Sequence, residues 1–160
     1  VLRQPAAGDL RLVLATIKVT NDLERIGDEA VKIGRQAIEL AEGGALESAS
    51  ARVRDLAGAV NSILKDSLDS FARLEVSDAA TIILRDDDID EAYTAAKKWL
   101  TGEIQAHPET LEASLAYLGI LKSLERVGDH AANIAEQVIF LTRGVDVRHL
   151  DTLAVRDLVS

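Results

Sequence analysis

Asp22-Leu23-Glu24-Arg25-Ile26-Gly27-Asp28-Glu29-Ala30 returns later in the chain as Ser123-Leu124-Glu125-Arg126-Val127-Gly128-Asp129-His130-Ala131, an offset of 101 residues from Glu24 to Glu125. The context repeats as well, because Pro5 and Pro108 each stand shortly upstream of one copy. Each copy therefore reads as a proline-marked loop, a long helix and the block L-E-R-[IV]-G-D in the middle of that helix. Self-similarity at a fixed offset points to two related helical units within one chain.

Around these blocks the chain divides into four helical stretches. In the first, Asp9 is the expected N-cap and Gly43-Gly44 the stop. Leu10, Leu14, Ile17, Asn21, Glu24, Asp28 and Val31 recur every three or four positions in it and share one face, apolar at the start and acidic in the middle. The second stretch runs from about Ala45 to Leu74, with Val53, Leu56, Val60, Ile63, Leu64, Leu68 and Phe71 at helical spacing. Ser77-Asp78 is the expected cap of the third, which reaches about Gly102. The fourth opens on Pro108-Glu109 and runs to Thr142, with Gly144 just beyond. No segment sustains strand-like alternation, so the expected class is all-α, with long helices joined by short loops in an antiparallel bundle. The tail 145–160 has only a weak amphipathic pattern at Leu150, Leu153 and Leu158.

Composition narrows the function. The 160 residues carry 27 acidic and 18 basic side chains, a net charge of −9, which argues against a binder of nucleic acid. Only one Trp, two Tyr and two Phe are present, so the core must be built from Leu, Ile, Val and Ala. The absence of Cys removes thiol chemistry and Cys-ligated metals. No apolar run approaches the roughly 20 residues of a membrane span, and no signal peptide is visible, so a soluble cytoplasmic protein is expected. The chain holds no Met, and only residues 1–8 stand ahead of the first helix whereas two helices stand ahead of the fourth. The reading is that the first unit has lost two helices from its front.

The repeated block carries the chemistry. Glu24 and Asp28, and likewise Glu125 and Asp129, are four positions apart and so lie on one helix face about a turn apart. Like charges at that spacing and a mid-helix glycine each work against the helix, the glycine by roughly 1 kcal/mol. Penalties repeated in both copies suggest a use, and two carboxylates from one helix are half of an oxygen-ligand cation site. The third stretch offers the other half in Arg85-Asp86-Asp87-Asp88-Ile89-Asp90, where Asp86 and Asp90 share the same spacing. If the third and fourth helices are antiparallel neighbours, Asp86, Asp90, Glu125 and Asp129 form one cluster suited to Mg, Mn, Fe or Zn.

A plain reading stands beside this one, in which the acidic faces are simply solvated. In the first copy Arg25 can pair with Glu29, and Asp28 with Lys32. In the second copy position 133 is Asn and Lys122 is placed on another side of the helix. His130 is expected at a helix contact or in solvent, and Tyr93, Trp99 and Tyr117 in the core or lining grooves.

The stretches RQPAAGDLRLVLATIKVTNDLERIGDEA (3–30) and LAYLGILKSLERVGDHAANIAEQVIFLTRG (115–144) resemble the two signature helices of the PhoU family, and RDDDIDEAY (85–93) resembles its acidic motif on the middle helix of a repeat. The resemblance covers about residues 3–149. It implies an all-α, PhoU-like bundle with residues 1–44 as the last helix of a first repeat, 45–144 as a complete second three-helix repeat and 145–160 as a C-terminal tail. It also implies metal motifs for iron, zinc or similar ions at Glu125 and Asp129, at Asp86 and Asp90, and at Glu24 and Asp28, the last pair without its usual partners.

The function implied by the resemblance is bacterial and regulatory. It is negative regulation of phosphate transport and of the phosphate-starvation response by a homodimeric cytoplasmic adaptor. Its partners would be the ATPase of the phosphate ABC transporter and a membrane sensor histidine kinase. Two alternatives remain. One is a helical dimerisation module that binds no metal. The other is a carboxylate-bridged di-metal enzyme, which expects Glu-x-x-His pairs where this chain has Gly27 and Gly128.

Overall fold

The computed structural model describes residues 7–147. It contains four long helices: α1 (Ala7–Gly43), α2 (Glu47–Arg73), α3 (Val76–Ala106) and α4 (Leu111–Arg143). A single 3-10 turn, Pro108–Thr110, precedes α4. No strand occurs among the described residues. The expected leucine pattern of the tail and the proline loop at Pro5 lie outside them.

Helix α4 is the axis of the molecule. It packs against all three other helices, while α2 and α3 also pack against each other. Its burial runs all round, with Tyr117, Leu121, Val127, Ala131, Ile134, Val138 and Ile139 inside. An apolar helix of this kind must be covered on every side. Helices α2, α3 and α4 form a three-helix bundle, whose core joins Leu56, Val60 and Ile63 to Ala79, Ile82, Ile89, Leu100 and the α4 residues. The Tyr117 hydroxyl is held by Ser50 Oγ at 2.6 Å and accepts the Leu46 N–H at 3.2 Å, which ties the start of α2 to the start of α4. Arg85 bridges α3 to Asp66 and Ser62 of α2. Trp99 is half-buried beneath Arg52, 4.6 Å from its ring centre.

Helix α1 meets only α4 among the described helices. Ala15, Val19 and Leu40 are its buried apolar residues on that side, joined by half-buried Ile26 and Ile33 and by the buried Glu29. The pairing is antiparallel: Asp22 meets His130 at 2.9 Å, Arg126 meets Glu29 at 3.2 Å, and the Gln36 amide fills the space that a Cβ on Gly119 would need. Under the 101-residue offset Asp22 corresponds to Ser123 and Glu29 to His130. The contacts Asp22–His130 and Glu29–Ser123 thus join equivalent positions reciprocally across the seam between α1 and α4.

Several expected boundaries move. Asp9 is not an N-cap, because α1 is already helical at Ala7; its charge lies in the first turn, where it favours the positive end of the helix dipole. Ser77-Asp78 does not cap α3. The chain leaves α2 through Leu74 in the left-handed region (φ 56°), and extended Glu75 leads directly into Val76. Ser70 fixes this corner, its carbonyl accepting the Glu75 N–H and its hydroxyl donating to the Glu75 carbonyl. A tight corner, rather than a capping side chain, sets where α3 begins. At the fourth stretch Pro108 opens the 3-10 turn and the α-helix proper starts at Leu111. Gly144 closes α4 in the left-handed conformation with φ 72°.

Candidate metal centre

The antiparallel packing of α3 on α4 brings the acidic run against the second copy of the block. Oxygens of Asp90, Glu125 and Asp129 lie within 4.8 Å of one another. Asp86 stands one turn away on α3, beside Gly128. A Cβ on Gly128 would lie 3.2 Å from Asp86 Oδ1 and 3.2 Å from two carbons of Ile89, so the glycine is what admits this carboxylate to the helix interface. The Asp86 Oδ1 atom is buried without a hydrogen-bond partner.

The electrostatics follow from that crowding. Burial first, and then the charges of Asp129, Asp90, Asp87 and Glu125, push Asp86 up to about 7. Asp129 is raised by burial and by Glu125 and Asp90, and Asp90 is raised by burial and by Glu125. Several carboxyls that are costly to ionise together are a cluster in want of positive charge. An all-oxygen donor set with one orphaned buried oxygen fits a hard or borderline cation, with Asp90, Glu125 and Asp129 as its holders and Asp86 adjoining. When bound, such an ion would neutralise the charge that now opposes ionisation.

One residue of the site was missed by sequence reasoning. Lys122, assigned above to another side of α4, bonds both oxygens of Glu125 at 2.6 and 2.5 Å. Residues three apart on a helix are neighbours, and the long lysine stem closes the remaining angle. Its ammonium also lies 5.3 Å from the ring centre of half-buried Tyr93. The i, i+3 spacing from Lys122 to Glu125 was the available signal.

The first copy is arranged differently. Glu24 and Asp28 are exposed on α1 and join no cluster of three or more potential ligands among the described residues. A Cβ on Gly27 would meet nothing within 4 Å. Lys32, expected beside Asp28, instead bonds Glu29 at 2.8 Å. Burial would raise the Glu29 carboxyl, but Lys32, Ser123 and Arg126 outweigh it and hold the group below its usual range. His130 serves the helix contact with Asp22, as expected, and Asn133 Nδ2 reaches the same aspartate at 3.4 Å.

No helix among the described residues is long and apolar enough to cross a membrane. The sequence matches the PhoU domain over residues 1–37 and 53–138. It is 45% identical over 148 residues to a phosphate-specific transport system accessory protein PhoU homolog of Pseudomonas putida, covering 92% of this chain and 58% of the relative. A homolog of the same description from Pseudomonas aeruginosa is 41% identical over 158 residues, covering 99% of this chain and 65% of the relative. The chain thus spans about three fifths of the length of these relatives, which are named as accessory proteins and not as enzymes. The crystal structure of PhoU from Pseudomonas aeruginosa superposes with a TM-score of 0.87 at 42% identity, covering 89% of this chain and 68% of that one. The repeated L-E-R-[IV]-G-D helices, the bundle built on α4 and these matches together establish that the chain belongs to the PhoU family.

Proposed function

We propose that this chain is part of a regulator of phosphate uptake, acting as a metal-binding adaptor. In this reading it joins the ATPase of the phosphate ABC transporter to a membrane sensor histidine kinase and restrains transport and the phosphate-starvation response. It works in the cytoplasm, as a homodimer, without catalysis of its own. Residues 1–44 end a first repeat and 45–144 form the second. The names of the relatives, all accessory proteins of the phosphate-specific transport system, support the transport role.

The observation that carries the metal assignment is the convergence of Asp90, Glu125 and Asp129 from two antiparallel helices, with Asp86 alongside. The ion would be Fe, Zn, Mn or Mg, held by oxygen ligands. Glu24 and Asp28 offer a second half-site that α1 presents outward. The homodimer draws on the same outward face of α1, where Leu10, Val13, Ile17 and Val31 are exposed. That face also favours the second reading, a helical pairing module whose acidic groups are merely solvated.

Metal analysis of protein purified without chelator separates the two. The adaptor reading expects a bound metal that is lost in the Glu125→Ala/Asp129→Ala double variant, whereas no metal in the parent removes the metal site and leaves the adaptor role to its own test. Co-purification with the transporter ATPase and the sensor kinase tests the adaptor role itself. Failure to retain either partner removes that role.

A further inference from the structure

The acidic site contains a cation of its own. Lys122 places its ammonium on both oxygens of Glu125, and its charge also reaches Asp90 and Asp129, where it counters their mutual repulsion. The two partners differ in freedom: the Lys122 side chain is 44% exposed and that of Glu125 only 12%. The Lys122 ammonium therefore has solvent to move into when it leaves Glu125, while Glu125 is held at the helix interface. In the first copy the equivalent position is Asn21, so a built-in cation belongs to the α3–α4 site alone.

We propose that Lys122 is the resident counter-cation of this site, holding Glu125 until a divalent ion binds and then giving it up, so that it sets the threshold concentration of metal. The inference rests on the metal assignment made above. It gives Lys122 a role opposite to that of a residue which merely positions Glu125. A positioning residue strengthens metal binding, and a competing cation weakens it.

Titration of the full chain with Mn2+, freed of metal beforehand and kept at neutral pH and low salt, reads that sign directly. Lys122→Met keeps the apolar stem beside Tyr93 and removes the charge, and it is expected to bind Mn2+ about tenfold more tightly than the parent. Lys122→Arg keeps the charge and is expected to stay within about threefold of the parent. Without metal, Lys122→Met is expected to melt below the parent at unchanged helix content, and the deficit is expected to close on adding Mn2+. Equal or weaker Mn2+ binding by Lys122→Met, with the parent binding, overturns the counter-cation role and leaves the metal site standing. An unchanged melting temperature in the metal-free variant overturns it as well. Binding of Mn2+ by neither protein overturns both the role and the site.

Discussion

The two copies of the L-E-R-[IV]-G-D block have nearly the same sequence and opposite surroundings. On α4 the block is covered by α3, Leu124 is 7% exposed, and Gly128 is pressed against Asp86 and Ile89. On α1 the block faces outward, Leu23 is 42% exposed, and Gly27 meets nothing. Residues that look equivalent in the sequence therefore carry different energetic weight. A helix face becomes a site only when a second helix supplies the remaining groups. The face that both helices do bury is the one on which they meet each other.

Truncating matched positions should break this comparison most visibly. Ile139 is fully buried and its counterpart Ile38 is 61% exposed. Ile139→Ala is expected to cost about 2–5 kcal/mol in denaturant unfolding, and Ile38→Ala about 0.5 kcal/mol or less. Equal costs would mean that something covers α1. The glycines give a second, smaller contrast. Gly128→Leu forces atoms into a filled interface and is expected to lose about 1–3 kcal/mol. Gly27→Leu meets open space and is expected to gain a few tenths of a kcal/mol, up to about 1, from helix propensity.

The carboxylates extend the contrast to pH. Asp86 is raised from 3.8 to about 7 by burial and by Asp129, with Asp90 and Asp129 raised as well. Between the unfolded and folded values the folded, metal-free protein binds more protons than the unfolded chain. Its melting temperature is therefore expected to fall as pH rises from about 4 to about 7 and to level off above that. Asp86→Asn is expected to flatten this fall and to raise stability at alkaline pH. Glu24→Gln/Asp28→Asn, on the uncovered face, should leave the slope unchanged. Smallest of all is Asp66→Ala, which removes the half-exposed Arg85 pair and should cost roughly 0.5 kcal/mol in the same unfolding measurement.

Much of this was legible in the sequence. Helical periodicity located the four helices, and Gly43 and Gly144 marked the ends of α1 and α4, whereas α3 runs through Gly102, its expected end, to Ala106. The shared i, i+4 spacing of Asp86/Asp90 and Glu125/Asp129 anticipated that these two stretches would face each other, although only Asp90, Glu125 and Asp129 close together and Asp86 stands a turn away. Local patterns reach only as far as the next turn, however. The seam of Asp22 with His130 and of Glu29 with Arg126 joins positions about a hundred residues apart, and nothing in either helix alone specifies it. The start of α3 was misread because the corner through Leu74 does the work that a capping side chain would do elsewhere. Lys122 reaches Glu125 because a long, flexible stem carries its ammonium to a residue three positions on, a reach that position along the helix does not by itself show. The outward turn of Glu24 and Asp28 depends on which helices lie beside α1, which the repeated block does not encode.

The sharpest test of the α3–α4 site is the melting temperature of the parent, of Asp90→Asn/Glu125→Gln and of Glu24→Gln/Asp28→Asn, each with and without Mn2+. Ion binding at the covered copy requires Mn2+ to raise the melting temperature of the parent and of Glu24→Gln/Asp28→Asn alike, and to leave Asp90→Asn/Glu125→Gln unmoved. No rise in the parent, or an equal rise in Asp90→Asn/Glu125→Gln, would contradict it.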